Sequence, residues 1–392
     1  MKKLIAYLTA AAIVFDLFTP LRLVFDGGKA LMMLIPTFLI ILYDGLYLKK
    51  SFLPMALYVV GALITIRMGS IYFSIPFLLQ VVYAYACLEH YLVTRDRFFV
   101  KVVTIALFTT LTVMLATSLP LFISMPSLSR LMLDAEGNGI VSPIFYWTLS
   151  YDKIHSLPIY SIPVFYLYRN SRKKIIKGLA LLFFAAIFVL MLFADSAGAL
   201  LVNVAIFGIL LLYNHNKSIK VNTIKLSALG VVMLIFMNRT VMIGVLTVIQ
   251  PVFAGSHTYN KIELLKYGDT SGDIDERGDL MDISLKSFAE NPLLPTIEKE
   301  SYMKIGGHNC FIDQIVALGL LLGIFFIWFM IERIKKPLKY LTFSTKPYYL
   351  VGILGMLLMG FLKNFYLLFP ACFILPMILI DAGNPMALKN KR

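Results

Sequence analysis

The chain has 392 residues, of which 59% are hydrophobic and 15% charged, and its mean hydropathy is +0.81. A soluble domain rarely exceeds about half apolar residues, so this composition excludes an ordinary globular protein. The formal net charge is +14, but the basic residues are spread over short loops, which argues against nucleic acid as a partner. Apolar runs of about 20 residues, without the polar alternation of a β-barrel, predict an all-α, polytopic membrane protein.

The apolar runs predict about twelve membrane-spanning helices in a single transmembrane domain, residues 1–392. We interpret the first run, which follows Met1-Lys2-Lys3, as an uncleaved span rather than a cleaved signal sequence. The predicted spans are 4–20, 30–48, 52–68, 71–93, 98–122, 156–168, 175–194, 198–213, 225–249, 309–331, 348–362 and 365–381.

Lysine and arginine residues are concentrated in every second connection between these spans. By the positive-inside rule, those connections and both termini lie in the cytoplasm. Two longer segments, 123–155 and 250–308, then lie outside. The basic groups are Lys2/Lys3, Lys49/Lys50, Arg95/Arg97/Lys101, Arg169/Arg172/Lys173/Lys174/Lys177, Lys217/Lys220/Lys225, Arg333/Lys335/Lys336/Lys339/Lys346 and Lys389/Lys391/Arg392.

The outer loop 250–308 is the more polar of the two outer segments. Within it, Asp275 to Glu290 predicts an amphipathic helix, with Asp275 as N-cap and Asn291-Pro292 as the stop. The alternative is an ordinary interfacial helix lying on the outer leaflet.

Two residues of this loop are candidates for chemistry. Arg277 lies near the start of the predicted helix, where a guanidinium can hold a diphosphate through bidentate hydrogen bonds. His308 follows two glycines directly before an apolar span, and its imidazole could accept a proton from a sugar hydroxyl. The alternatives are a surface arginine paired with Asp273 or Glu276, and a histidine that only caps the span.

Further cations are predicted at the outer half of the membrane, where basic residues are scarce. Arg67 ends the third span, Arg239 lies in the outer part of the ninth, and Lys363 lies in a tight outer turn. They could bind the same anion, or they could snorkel or pair with Asp195.

Signatures of other enzyme classes are missing. The chain has no phosphate-binding P-loop, no dinucleotide glycine fingerprint, and no serine-hydrolase or zinc-protease motif. Asp273-Ile274-Asp275 has the spacing of a metal-bound nucleotide-sugar site, but its loop is predicted to face away from the cytoplasm. The sequence therefore predicts no metal and no cofactor. Gly319 and Gly323 form a GxxxG pattern, which predicts close approach of a neighbouring helix.

The C-terminal third resembles the O-antigen polymerase and ligase superfamily (the Wzy and WaaL type). The residues that carry the resemblance are Glu276-Arg277, Ser284-Leu285-Lys286-Ser287-Phe288, Glu290-Asn291-Pro292-Leu293-Leu294, Gly306-Gly307-His308-Asn309-Cys310-Phe311-Ile312-Asp313 and Ala317-Leu318-Gly319-Leu320-Leu321-Leu322-Gly323.

The resemblance implies a metal-independent glycosyltransferase of the GT-C type that uses undecaprenyl-diphosphate-linked sugars. It implies that Arg277 contacts the diphosphate, that His308 orients or activates the acceptor hydroxyl, and that Asn309 belongs to the substrate site. The sequence departs from the family in two places. No arginine follows Ser196, which leaves Arg239, Arg67 or Lys363 as the second phosphate cation, and the turn after Pro292 lacks its usual glycine.

The expected function is polymerisation of lipid-linked repeat units into surface polysaccharide at the outer face of the bacterial cytoplasmic membrane. A chain-length regulator and a flippase are candidate partners. One alternative is a ligase that transfers finished glycan to a final acceptor. The other is a flippase for the same lipid, which would need ionisable residues along a central path and is typically built from internal repeats.

Overall fold

The computed structural model describes residues 1–21, 28–70, 72–125, 128, 146–194, 196–213, 243–244, 247–248, 250–254, 257–266, 273–296, 305–307, 309–362 and 369–383. These ranges are helical and contain no strand, which confirms the all-α prediction. The α-helices are α1 Lys2–Leu17, α2 Gly28–Tyr43, α3 Phe52–Met68, α4 Ile75–Thr94, α5 Arg97–Ser124, α6 Tyr151–Asn170, α7 Lys174–Phe193, α8 Ala197–Leu212, α9 His257–Lys266, α10 Asp273–Glu290, α11 Cys310–Leu338, α12 Lys346–Leu362 and α13 Leu375–Ala382.

Four helices, α4, α5, α7 and α11, are long and apolar enough to cross a membrane, and five shorter ones are similarly apolar. They are the helices of a membrane protein. The predicted span 225–249 lies almost entirely outside the described residues, so the total of twelve stays a prediction. The short predicted span 156–168 is part of α6, which is longer at both ends. Pro158 and Pro163 lie inside α6. Proline usually interrupts a helix, so the sequence predicted a shorter one.

The chain forms two compact units. The first comprises residues 1–111, 276–349 and 356–392. In it α11 packs along α3, α1 packs on α2, and α2 packs on α4. Gly61 of α3 faces Leu322 of α11, and the Tyr58 ring stacks on Phe329 at 5.6 Å between centroids. Lipid tails are as apolar as these side chains, so the hydrophobic effect does not bring membrane helices together. Close packing at small residues and between stacked rings holds them together instead.

The second unit comprises residues 112–275 and 350–355. Helix α6 packs against α7 and α8, and α7 also contacts α8. The Phe207 ring of α8 lies between Phe165 and Phe184, with centroid distances of 5.1 and 4.3 Å. Helix α9 contacts a short 3₁₀ turn, Gln250–Phe253.

Helix α11 is broken at Gly319, whose φ of 65° and ψ of 167° are open essentially to glycine alone. The rings of Phe311 and Phe326 lie 6.5 Å apart, and a Cβ built on Gly323 would lie 3.7 Å from the Cα of Ile315. In a straight helix, residues eight apart are about 12 Å apart along the axis. Residues 310–318 therefore form a half-helix that folds back alongside 320–338, with Gly319 at the tip.

This hairpin corrects two predictions. The span 309–331 is wrong as one continuous helix, because Gly319 breaks it into residues 310–318 and 320–338. The GxxxG prediction is wrong about its partner. A Cβ on Gly319 would meet the backbone of Leu293 and Leu294, which belong to the outer loop and not to a neighbouring helix.

Candidate functional site

The turn after α10 caps the break in α11. The N–H of Leu320 donates to the Pro292 carbonyl at 2.8 Å, and the N–H of Leu321 donates to the Leu293 carbonyl at 3.2 Å. A break in a membrane helix leaves backbone N–H groups without a helical acceptor, and no water is present in the membrane to replace it. Each N–H group left unsatisfied costs several kcal/mol. The Asn-Pro turn that sequence analysis treated only as a helix stop therefore anchors the outer loop to the tip of the hairpin.

A second anchor, the Asp313 latch (Ser284, Gly306, Asn309 and Asp313), joins α10 to the half-helix. The Ser284 hydroxyl donates to Asp313 Oδ1 at 2.6 Å and accepts from the Gly306 N–H at 2.9 Å. The Asn309 N–H donates to Asp313 Oδ2 at 2.9 Å. All three side chains are buried, Ser284 and Asp313 at 1% exposure or less. Charge-assisted hydrogen bonds in such a setting are among the stronger polar contacts.

The backbone of α10 also touches the segment before α11 directly. A Cβ built on Gly306 would collide with the carbonyl oxygen and carbon of Leu280, and would lie 2.9 Å from its Cα. Only glycine permits this approach. Leu280 lies one helical turn after Arg277, and Gly306 lies two residues before His308. The two predicted catalytic positions thus flank one backbone contact.

We expect Ser284→Ala to loosen the latch, because the buried Asp313 carboxylate and the Gly306 N–H each lose a partner. An unsatisfied buried group costs about 1–3 kcal/mol, so amide hydrogen exchange in 280–290 and 305–307 should accelerate roughly tenfold or more. The matched control is Ser287→Ala. Ser287 is a buried residue of the same helix, and its hydroxyl bonds to no described residue. Equal exchange in both variants would remove Ser284 from the latch.

The structure places the other predicted site residues unevenly. Arg277 lies in α10, which begins at Asp273 rather than Asp275 and ends at Glu290 as predicted. Its side chain and the whole of His308 lie outside the described residues. Asn309 is the N-cap of α11, where its side-chain oxygen accepts from the Ile312 N–H at 3.1 Å. Its capping role was not foreseen, and it accounts for why a short polar residue stands there.

Of the other cations, only Arg67 is described. It lies in the last turn of α3, exposed, and makes no hydrogen bond or ion pair with any residue of the described ranges. Arg239 and Lys363 lie outside those ranges. Lys363 follows the end of α12, where a Cβ on Gly360 would collide with the Phe311 ring and where Phe361 lies 5.4 Å from that ring. The end of α12 therefore packs against the start of the half-helix.

The buried side of the half-helix carries a series of hydrogen-bonded polar side chains. Tyr58 of α3 donates to Gln314 Oε1 at 2.6 Å, and Gln314 Nε2 donates to Cys310 Sγ at 3.5 Å. Tyr72 donates to the Cys310 carbonyl at 3.5 Å. These bonds satisfy the polar groups that a re-entrant segment brings into the protein interior. They fix the start of the half-helix, next to Asn309, against α3 and the segment before α4.

The second unit holds a separate buried pair. His155 Nδ1 lies 2.8 Å from the Tyr151 carbonyl, so that nitrogen is the donor, and Nε2 accepts from the Ser196 hydroxyl at 3.0 Å. His155 is fully buried and Ser196 is 2% exposed. The pair links α6 to the residue before α8, and its burial favours a structural role.

Ser284 and Asp313 belong to the motifs that carry the family resemblance, but the sequence assigned neither of them a role. The available signal was an acidic residue four positions into an apolar segment, because a buried carboxylate there requires partners. Within the described residues, no group of three or more histidine, cysteine, aspartate or glutamate side chains could hold a metal ion.

Comparison with known proteins identifies no family for this chain. The chain matches no protein-family model, and no curated protein matches it.

Proposed function

We propose that this protein polymerises undecaprenyl-diphosphate-linked oligosaccharide repeat units into surface polysaccharide at the outer face of the bacterial cytoplasmic membrane. The observation that carries the proposal is the Asp313 latch. It holds Ser284 of α10, seven residues after Arg277, against Gly306 and the Asn309–Asp313 turn, which flank position 308 in the chain. The motif resemblance named above assigns a diphosphate contact and an acceptor contact to those two positions.

The proposed reaction needs one anion site and one base. The acceptor hydroxyl attacks the anomeric carbon of the donor, the bond from that carbon to the diphosphate oxygen breaks, and undecaprenyl diphosphate leaves. His308 takes the hydroxyl proton, and Arg277 stabilises the charge that builds on the leaving diphosphate. Such electrostatic stabilisation is usually a large catalytic term. Neither step needs a metal ion or a cofactor.

The half-helix 310–318 supports an anion site in a second way. Its N-terminus is capped by Asn309 and follows position 308 directly. The amino end of a helix carries partial positive charge, and broken membrane helices present such ends to anionic substrate groups. The Asp313 carboxylate offsets part of this charge, so Arg277 remains the main cation of the proposal. The second cation is assigned to Arg239, Arg67 or Lys363.

The remaining elements of the proposal are those predicted from the sequence. They are about twelve spans in a GT-C type arrangement, both termini in the cytoplasm, and the latch on the outer side. A ligase that moves finished glycan to a final acceptor would use the same two residues. A flippase would need charged groups along a central path instead. The buried ion pairs of Glu89 with Arg333 and Lys336 join the C-terminal parts of α4 and α11, and they do not extend along such a path.

The test is the size distribution of lipid-linked and surface glycan in cells whose own gene is deleted and that carry wild type or His308→Ala. We expect the variant to accumulate single repeat units, because no base activates the acceptor. Long lipid-linked chains that never reach a final acceptor would indicate the ligase. An unchanged ladder would contradict the site. His257→Ala, in the same outer loop, is the control and should give the wild-type ladder.

A further inference from the structure

A cluster of buried charges joins the C-terminal part of α4 to the C-terminal part of α11. Glu89 of α4 is 1% exposed and accepts from Lys336 Nζ at 2.7 Å, and Arg333 Nη1 lies 2.8 Å from its Oε1. Lys336 Nζ also donates to Ser51 Oγ at 3.1 Å. By the positive-inside prediction, the cluster faces the cytoplasm.

The cluster has more positive than negative charge. Arg333 is 1% exposed. Its side chain lies close to Glu89, but none of the Arg333 Nε, Nη1 and Nη2 atoms is aligned for a hydrogen bond. Its guanidinium is flanked by the Tyr85 ring, 4.7 Å from the centroid. Lys49 Nζ is shielded from solvent and has no hydrogen-bond partner among the described residues. Lys49 stands two residues before Ser51, whose hydroxyl accepts from Lys336.

Arg333 and Lys336 therefore share one carboxylate, and Lys49 has no acidic partner among the described residues. The Asp44 carboxylate is engaged by His90 Nδ1 at 2.7 Å. A buried cation without a partner is costly, and such groups are normally paired or bound to an ion of opposite charge. One further anion beside Lys49 and Lys336 would supply the missing acceptors.

We propose that Lys49, Lys336 and Arg333 form a binding site for a phosphate group, supplied by an anionic phospholipid of the inner leaflet. Arg333 is buried and contributes its positive charge from inside the protein, whereas Lys49 and Lys336 are residues of intermediate exposure at the surface of the cluster. Phosphate oxygens accept from several ammonium and guanidinium donors at once. Basic residues at this boundary attract anionic headgroups, each by about fivefold in affinity. The site is independent of the glycan chemistry on the other side.

The test uses the purified full-length protein in neutral detergent and follows its thermal unfolding. Cys87, Cys310 and Cys372 are all buried, so a thiol-reactive dye reports unfolding directly. Phosphatidylglycerol, phosphatidylcholine with the same acyl chains, and inorganic phosphate are titrated separately. We expect phosphatidylglycerol to raise Tm and phosphatidylcholine not to. The variant Lys49→Gln should shift the half-saturating concentration upward about fivefold.

Lys50→Gln is the matched control, since Lys50 is the exposed neighbour of Lys49. It removes the same charge outside the proposed site, so it should shift the half-saturating concentration less than Lys49→Gln does. Lys49→Gln removes no hydrogen bond within the described residues, so it should fold normally. An equal response of wild type and Lys49→Gln, or no preference for phosphatidylglycerol or phosphate over phosphatidylcholine, would overturn the proposal. An equal effect of inorganic phosphate would keep the site and make a soluble phosphate its source.

Discussion

Replacing Arg277 with alanine should lower glycan polymerisation by about 10²–10³-fold, the loss typical of removing one donor that stabilises developing charge. The guanidinium is the cation that we propose to hold the leaving diphosphate. Arg277→Lys should restore only part of the rate, because an ammonium cannot make the bidentate contact of a guanidinium. The measurement is turnover of the purified protein with a synthetic lipid-linked repeat unit, at saturating substrate.

Lys286→Ala is the control for this experiment. Lys286 lies on the exposed side of the same helix and makes no contact with a described partner, so its loss removes a positive charge from α10 without touching the latch. Its turnover should stay within about twofold of wild type. If Arg277→Ala lowers the rate no more than Lys286→Ala does, the arginine acts only through the general field of the loop, and the assigned role is wrong.

The sequence predicts the helical elements well, because they depend on local signals. Runs of apolar residues place α3 at the bounds found in the structure, and Asn291-Pro292 places the end of α10. The break at Gly319 could not be predicted in this way. Residues 310–338 are apolar on both sides of it, and a single glycine in a membrane helix is usually tolerated without a break.

The candidate site was predictable only in part. Motif resemblance marks Arg277 and His308, but it gives no reason for the two to be near each other. That reason lies in Ser284, Gly306 and Asp313, which are 7 to 29 positions apart and meet only after α11 folds back. Contacts of this kind depend on tertiary geometry, which hydropathy does not encode. An unexplained acid inside an apolar segment was the one local sign of them.

Gly319→Ala should open the hairpin. Alanine is strained at φ 65° and ψ 167°, and its Cβ would press on the backbone of Leu293 and Leu294, with the Leu293 oxygen at 2.7 Å. Strain of this kind costs about 1–3 kcal/mol, and overpacking adds a similar amount. A local destabilisation of about 3 kcal/mol raises the open fraction roughly a hundredfold. The half-helix carries Cys310, which is 3% exposed, so its thiol should become reactive.

The measurement is the rate of maleimide labelling at each cysteine, read by mass spectrometry. In Gly319→Ala, labelling of Cys310 should accelerate by up to a hundredfold. Cys87 and Cys372, buried elsewhere in the first unit, should keep their slow rates. Gly323→Ala is the matched control, because its added Cβ would make ordinary contacts of 3.7 Å or more with Ile315. If Cys310 stayed protected in both variants, the break would not depend on glycine. The turn that caps Gly319 also tethers α10, so an opened hairpin should reduce polymerisation as well. Loss of Cys310 protection and loss of polymerisation should therefore occur together.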